Sequence, residues 1–275
     1  MKQFGLIGHP IARSLSPGLF KAAYDGKYPY DLIQGEDFET SYQTFLDSYD
    51  GVNVTAPFKE LAYAKADIIS DECRLARATN LLIKTPEGIK AYNSDLLGVR
   101  LWLQEAVADS MAGAPAMEEN QFTVLISGCG GAGRAAAAAA VSLGMKVVLM
   151  NRNPERAEKL AEELIAMGYA AEVRPIGDFC ECFREADAVI YNIPAAIEQI
   201  SALTENDFAP GRPKFLLEAN YKDPSFDEAF ISRMTAANPL ARHTGGRIWL
   251  LYQALTGYEI FTGEKPDLQK MSDDL

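Results

Sequence analysis

Near the amino terminus the apolar positions switch repeatedly between strand-like runs and helical spacing. Residues 3–8, QFGLIG, read as a strand, and Ser16-Pro17 offers a helix start, with serine as the cap and proline at the first helical position. That helix runs to Gly26, and a strand at 29–34, a helix at 38–49 and a strand at 51–55 follow. Gly51 and Pro57 punctuate the last of these, a β-branched run ending in a turn. Lys59 opens the next helix, which the pattern carries over 60–70. The β-α-β-α-β order predicts a parallel sheet with crossover helices. Residues 80–84 and 88–92 read as a hairpin around Pro86-Glu87-Gly88, and 96–113 as one long helix, with a loop from Gly113 to Asn120.

Beyond that loop the pattern is strand (FTVLIS), glycine turn (GCGGAG), alanine-rich helix (RAAAAAAVSLG) and strand (KVVLM). Strands at 171–174, 187–191 and 214–218, a helix near 178–185 and a last helix over 245–262 continue the alternation. A domain boundary is expected near 98–100.

With 275 residues, 48% of them hydrophobic, the chain has room for two ordinary domains and a sizeable core. No apolar run is long enough to span a bilayer, and Pro10 breaks the short apolar start, so neither a membrane span nor a signal peptide is expected and the protein is read as cytoplasmic. Cys73, Cys129, Cys180 and Cys182 form neither a zinc pattern nor a disulfide framework, and no metal is expected. The net charge of −12 argues against nucleic acid. Against that background a cation beside a glycine turn becomes informative.

Gly128 to Gly133 matches G-x-G-x-x-G with a strand before it and a helix after it. Gly128 permits the tight turn, Gly130 lets backbone approach a pyrophosphate, and Gly133 lets the helix pack on the strand. The helix amino terminus, at Gly131 and Ala132, offers free N–H groups to an anion. A Rossmann-like domain for another cofactor, such as S-adenosylmethionine, is the alternative. An NAD-binding turn has an acidic residue about twenty positions on. Here the second strand ends in Met150-Asn151-Arg152-Asn153, with Arg156 four further along. Guanidinium groups suit a 2′-phosphate, so NADP is expected, and Arg134 is a further candidate for the phosphates.

These segments resemble, in order, the shikimate dehydrogenase family. Residues 8–17, GHPIARSLSP, are similar to the family's G-x-P-x-x-H-S-x-S-P, and VNVTAPFKE at 52–60 to its N-V-T-x-P-x-K. Asn80 and Asn93-Ser94-Asp95 resemble A-V-N-T and N-T-D. The glycine turn with Asn151-Arg152, then Tyr221, then G-x-x-x-L-x-x-Q from Gly246 to Gln253, complete the series. The resemblance implies that Ser14 and Ser16 hold a substrate carboxylate with Tyr221 assisting, and that Thr55, Asn80 and Gln253 bind ring hydroxyls. Lys59 and Asp95 would be the catalytic pair, and Gly246 would lie at the cofactor.

The implied chemistry agrees with the residues. Reducing a ketone by hydride builds negative charge on oxygen, which needs a proton donor or cation. His9 precedes a proline and His243 lies outside any glycine or carboxylate motif, so both read as structural or peripheral, leaving the lysine and aspartate. The implied reaction is reduction of 3-dehydroshikimate to shikimate with NADPH, by a monomer or homodimer. The implied fold is α/β. A substrate domain spans 1–98 and 245–275, a Rossmann-like domain spans 99–244, and a cleft lies between them whose closure gates the reaction.

Some positions depart from the family. Arg13 replaces histidine, Leu81 and Ser94 replace threonine, Leu96 replaces glycine and Trp249 replaces methionine. They leave the acid open among shikimate, quinate and relatives such as aminoshikimate. A sensor that binds such acids without turnover is the alternative of another class; the retained Lys59, Asp95 and glycine turn count against it. A nucleotide-binding module alone would leave the first hundred residues unexplained.

Overall fold

The computed structural model describes residues 2–111 and 122–275, so the expected loop from Gly113 to Asn120 lies outside the described residues. The chain divides into two units, Met1–Gly98 with Leu250–Leu275, and Val99–Trp249.

In the first unit β1 (Phe4–Gly8) is buried along its length, and β2 (Tyr30–Gln34) and β3 (Gly51–Val54) flank it in parallel. The crossovers are α1 (Ser16–Ala23) and α2 (Phe38–Ser48). Next come α3 (Lys59–Lys65), β4 (Ile68–Ile69), α4 (Asp71–Ala76), β5 (Leu81–Thr85) and β6 (Gly88–Tyr92). The sheet order is β2-β1-β3-β5-β6-β4. The chain leaves the unit within α5 (Ser94–Met111) and returns within α11 (Gly246–Thr262), before α12 (Leu268–Asp273).

The expected parallel pairing of β1 with β2 and β3 forms, and so does the expected hairpin of β5 and β6, whose two-residue link between Thr85 and Gly88 can join only antiparallel neighbours. Because β5 also runs antiparallel to β3, the sheet as a whole is mixed. Two local expectations change. The helix expected over 60–70 stops at Lys65; Ile68 and Ile69 leave it to pair with Lys90 and Ala91, and Asp67 N–H donates to the Ile89 carbonyl at 2.9 Å. Ser16 is the first helical residue of α1 rather than its cap. Ser14 Oγ accepts from the Ser16 N–H at 3.3 Å, so the satisfying hydroxyl comes from two residues earlier.

Both faces of this sheet are covered. Phe4, Phe20, Leu251, Tyr258 and Phe261 gather under α1 and α11, with Phe4 and Phe261 stacked at 4.9 Å and Phe20 edge-on to Tyr258 at 4.8 Å. Ile7, Phe38, Phe45, Val52 and Phe58 gather under α2 and α3.

The second unit alternates without interruption. Its strands are β7 (Thr123–Ser127), β8 (Lys146–Met150), β9 (Ala171–Val173), β10 (Ala188–Tyr191), β11 (Lys214–Glu218) and β12 (Ala241–Thr244). Its helices are α6 (Gly131–Ser142), α7 (Pro154–Ala166), α8 (Phe179–Glu185), α9 (Glu198–Ala202) and α10 (Glu228–Ala237). All pairings are parallel, in the order β12-β11-β10-β7-β8-β9. That is the doubly wound order, and it reverses between β7 and β10, where such sheets bind ligands at the carboxyl ends of their strands. Ala135 to Ala140 are fully buried, which lets α6 lie close on the sheet. Among the described residues no helix is long and apolar enough to cross a membrane.

Candidate active site

The carboxyl ends of β1 and β3 touch: a Cβ on Gly8 would lie 2.3 Å from Thr55 Cγ2. Thr55 starts the turn after β3, closed by Phe58 N–H donating to its carbonyl at 3.0 Å. That turn sets Lys59 at the first position of α3. Lys59 Nζ donates to Asp95 Oδ2, in the first turn of α5, and the two side chains are only 14% and 11% exposed. The amino-terminal end of α5 favours the carboxylate charge.

Neighbouring polar residues are joined to this pair and to one another. Thr79 N–H donates to the Lys59 carbonyl at 3.1 Å, which brings Asn80 alongside. The Asn80 side chain is buried and bonds to Ser94 and Gln253. Asn53, pointing inward from β3, donates to the Asn80 carbonyl at 3.2 Å and accepts from the Tyr30 hydroxyl at 2.8 Å. Burial pushes the Tyr30 hydroxyl well above its ordinary range, so it stays a neutral donor. Ser14 Oγ donates to Ser16 Oγ at 3.2 Å, and Tyr258 holds the Ser16 carbonyl at 3.2 Å. The first unit thus gathers Ser14, Ser16, Thr55, Lys59, Asn80, Asp95 and Gln253. The sequence already marks Asn53, with Thr55 and Lys59, as a polar group at the end of a short strand, where α/β proteins bind ligands. Tyr30 was not singled out from the sequence.

In the second unit the glycine turn is dictated by space. A Cβ on Gly133 would stand 1.8 Å from the Gly128 carbonyl oxygen, and Gly128 has φ +98°. Gly130 faces open space, while Gly131 and Ala132 begin α6 with amide groups that the helix itself cannot satisfy. The turn borders a hollow of about 400 Å³ lined by Asn151, Arg152, Arg156, Asn192 and Pro194. Asn151 is a strut: its Oδ1 accepts from Cys129 N–H at 3.0 Å and its Nδ2 donates to the Asn153 carbonyl at 2.9 Å. Arg152 and Arg156 are exposed, with no ion-pair partner among the described residues. Asn192 Oδ1, just past the end of β10, and Ser127 Oγ, at the end of β7, are buried without a hydrogen-bond partner on either side of the reversal. Two anion-seeking arginines, orphan polar atoms and an open glycine face fit a phosphate-bearing dinucleotide. Burial pushes the Cys129 thiol up to about 12, so it is no nucleophile.

Arg134 departs from expectation. Its guanidinium is buried and paired with Glu163 of α7 at 2.5 Å, and it does not line the hollow. Tyr221 and Gly246 border a different hollow of about 460 Å³ in the same unit, with Phe226 and His243. A Cβ on Gly246 would lie 2.4 Å from the Ala219 carbonyl oxygen. Of the departures, Leu81 is spent in the aromatic cluster, Leu96 and Trp249 are buried, and Arg13 is exposed.

Comparison with known proteins gives this geometry a family. A family model described as the shikimate dehydrogenase substrate binding domain matches residues 6–82, and one described as shikimate/quinate 5-dehydrogenase matches residues 110–208. An NADP-type shikimate dehydrogenase of Xanthomonas euvesicatoria is 30% identical, over 97% of this chain and 93% of that protein. The chain belongs to the shikimate dehydrogenase family. Among solved structures, a Thermus thermophilus shikimate 5-dehydrogenase in complex with NADP(H) and shikimate aligns with TM-score 0.78 and 27% identity, covering 100% of this chain and 98% of that one. A Mycobacterium tuberculosis shikimate dehydrogenase aligns with TM-score 0.77 and 26% identity, covering 100% of both chains.

Proposed function

We propose that this chain catalyses the reversible, NADP-dependent reduction of 3-dehydroshikimate to shikimate. The observation that carries the reading is the Lys59–Asp95 pair, set beside buried Asn80 and Gln253 in a chain of this family. NADP, when bound in the hollow beside the glycine turn, supplies the hydride. Lys59 donates a proton to the oxygen that gains charge, and its amine takes the proton back in the reverse direction. Asp95 holds the Lys59 ammonium in place and accepts from a neighbouring ring hydroxyl. Ser14 and Ser16 offer hydroxyl groups to the substrate carboxylate, while Thr55, Asn80 and Gln253 bind ring hydroxyls. Arg152 and Arg156 meet the 2′-phosphate, and Gly130, Gly131 and Ala132 leave backbone for the pyrophosphate. A cytoplasmic location and a monomer or homodimer belong to the same reading; the four cysteines, all unpaired, are consistent with a reducing compartment.

The test is the absorbance rise of cofactor reduction with shikimate or quinate and with NADP or NAD, each pair assayed separately. Turnover confined to shikimate with NADP is expected. Activity with quinate or NAD would move the chain to a broader-specificity enzyme, and binding without turnover in every pair would make it a sensor.

A further inference from the structure

The hydrogen bonds around Ser94 run in one direction only. Asn80 Oδ1 accepts from the Ser94 backbone N–H at 2.8 Å, so the Asn80 oxygen must face that amide and its nitrogen must face away. Gln253 Nε2 donates to the Leu250 carbonyl at 3.1 Å, which fixes the second amide in the same manner. Asn80 Nδ2 then meets Ser94 Oγ at 2.9 Å and Gln253 Oε1 at 3.2 Å, consuming both its hydrogens. Ser94 Oγ stands 3.2 Å from Gln253 Oε1. Its other neighbour, Asn80 Nδ2, can only donate, so the hydroxyl hydrogen must point to Gln253 Oε1. Gln253 Oε1 therefore accepts twice.

What remains is asymmetric. Gln253 keeps one Nε2 hydrogen and no spare acceptor. Asn80 keeps one lone pair on Oδ1 and no spare donor. The packing is built to permit this. A Cβ on Gly98 would lie 2.9 Å from the Gln253 backbone nitrogen, and one on Gly257 would lie 2.9 Å from Ser94 Oγ. Two glycines thus let α5 and α11 approach closely enough for Gln253 to reach Ser94.

We propose that Ser94 is a positioning residue that sets the polarity of substrate recognition, so that Gln253 serves a ring hydroxyl only as donor and Asn80 only as acceptor. This rests on the proposed function. Without the Ser94 hydroxyl, Gln253 Oε1 loses one of its two donors and one Asn80 hydrogen is set free. The pair can then present either polarity, and it discriminates less.

The experiment is steady-state kinetics of the wild type, Ser94→Ala, Ser94→Thr and Gln253→Glu. The substrates are shikimate and deoxy analogues that each lack one non-reacting ring hydroxyl. Ser94→Ala is expected to raise KM for shikimate about tenfold with kcat changed less than about threefold, and to shrink the penalty against at least one deoxy analogue by about tenfold. Ser94→Thr keeps the hydroxyl and is expected to retain the wild-type penalty. Gln253→Glu keeps the shape but loses the free hydrogen, and its KM is expected to rise by about tenfold or more. It tests the donor assignment even where Ser94→Ala folds poorly. Wild-type KM and penalties in Ser94→Ala, or wild-type KM in Gln253→Glu, would overturn the inference and leave the enzyme standing. Absence of shikimate turnover in the wild type would remove both.

Discussion

Around Asn80 in the first unit, donors and acceptors are spent on neighbours, whereas around the glycine turn of the second unit they stand open. Asn80, Ser94, Gln253, Asn53 and Tyr30 form one chain of hydrogen bonds, with Lys59 and Asp95 paired beside it. At the glycine turn Asn192 Oδ1 and Ser127 Oγ are buried without partners, and two exposed arginines face solvent. A wired cluster has its shape before any ligand arrives, so it suits discrimination and placement of a reacting atom. An open cluster gains its bonds only on binding, which suits capture of a charged, detachable cofactor. Substitutions should therefore act on the chemical step or on substrate recognition in the first unit and on cofactor affinity in the second.

The sharpest way to break this comparison is Lys59→Ala. Its kcat is expected to fall by about 10²–10⁴-fold while KM for shikimate moves far less. An unchanged kcat in a folded variant would remove Lys59 from the chemistry. The next test lies across the divide. Arg152→Ala is expected to raise KM for NADP by about tenfold to a hundredfold, through loss of a charge-assisted bond, and to leave kcat at saturating cofactor nearly unchanged. The Kd for NAD, read by binding rather than turnover, should hardly move, because NAD carries no phosphate there. Equal losses with both cofactors would assign Arg152 to something other than the 2′-phosphate. Loss of kcat with KM intact would erase the contrast between the units.

The two regions also differed in how far the sequence could be read. The glycine turn is local: strand, turn and helix lie in one run, and Gly128 and Gly133 meet the steric need that the spacing predicts. The fate of Arg134 was hidden, because its partner Glu163 lies one helix further on and no motif marks it. In the first unit Lys59 and Asp95 stand out by residue type. Their neighbour Gln253 reaches Asn80 across 173 positions of sequence, and only the close approach of α5 and α11 at Gly98 and Gly257 makes that contact. The short strand β4 was misread as helix for a similar reason. Ile68 and Ile69 are drawn out by pairing with β6, a tertiary contact that overrides helical spacing.

A smaller effect tests the frame of the second unit rather than its site. Lys214 opens β11, is fully buried, and donates to the carbonyls of Phe183, Arg184 and Ala186 at the carboxyl end of α8. Burial pushes its ammonium down from 10.5 to about 7, although those three carbonyls favour the charged form. Between these two values the unfolded chain binds one more proton than the folded one, so stability rises with pH across that window. The slope is at most about 1.4 kcal/mol per pH unit, and the carbonyl bonds reduce it. Both tryptophans, Trp102 and Trp249, belong to this unit, so intrinsic fluorescence follows its unfolding. Denaturant titrations from about pH 6 to about pH 9 should show the wild type gaining stability relative to Lys214→Met as pH rises. A difference that stays constant with pH would mean that the carbonyls outweigh burial, and that Lys214 remains a charged cap on α8 throughout.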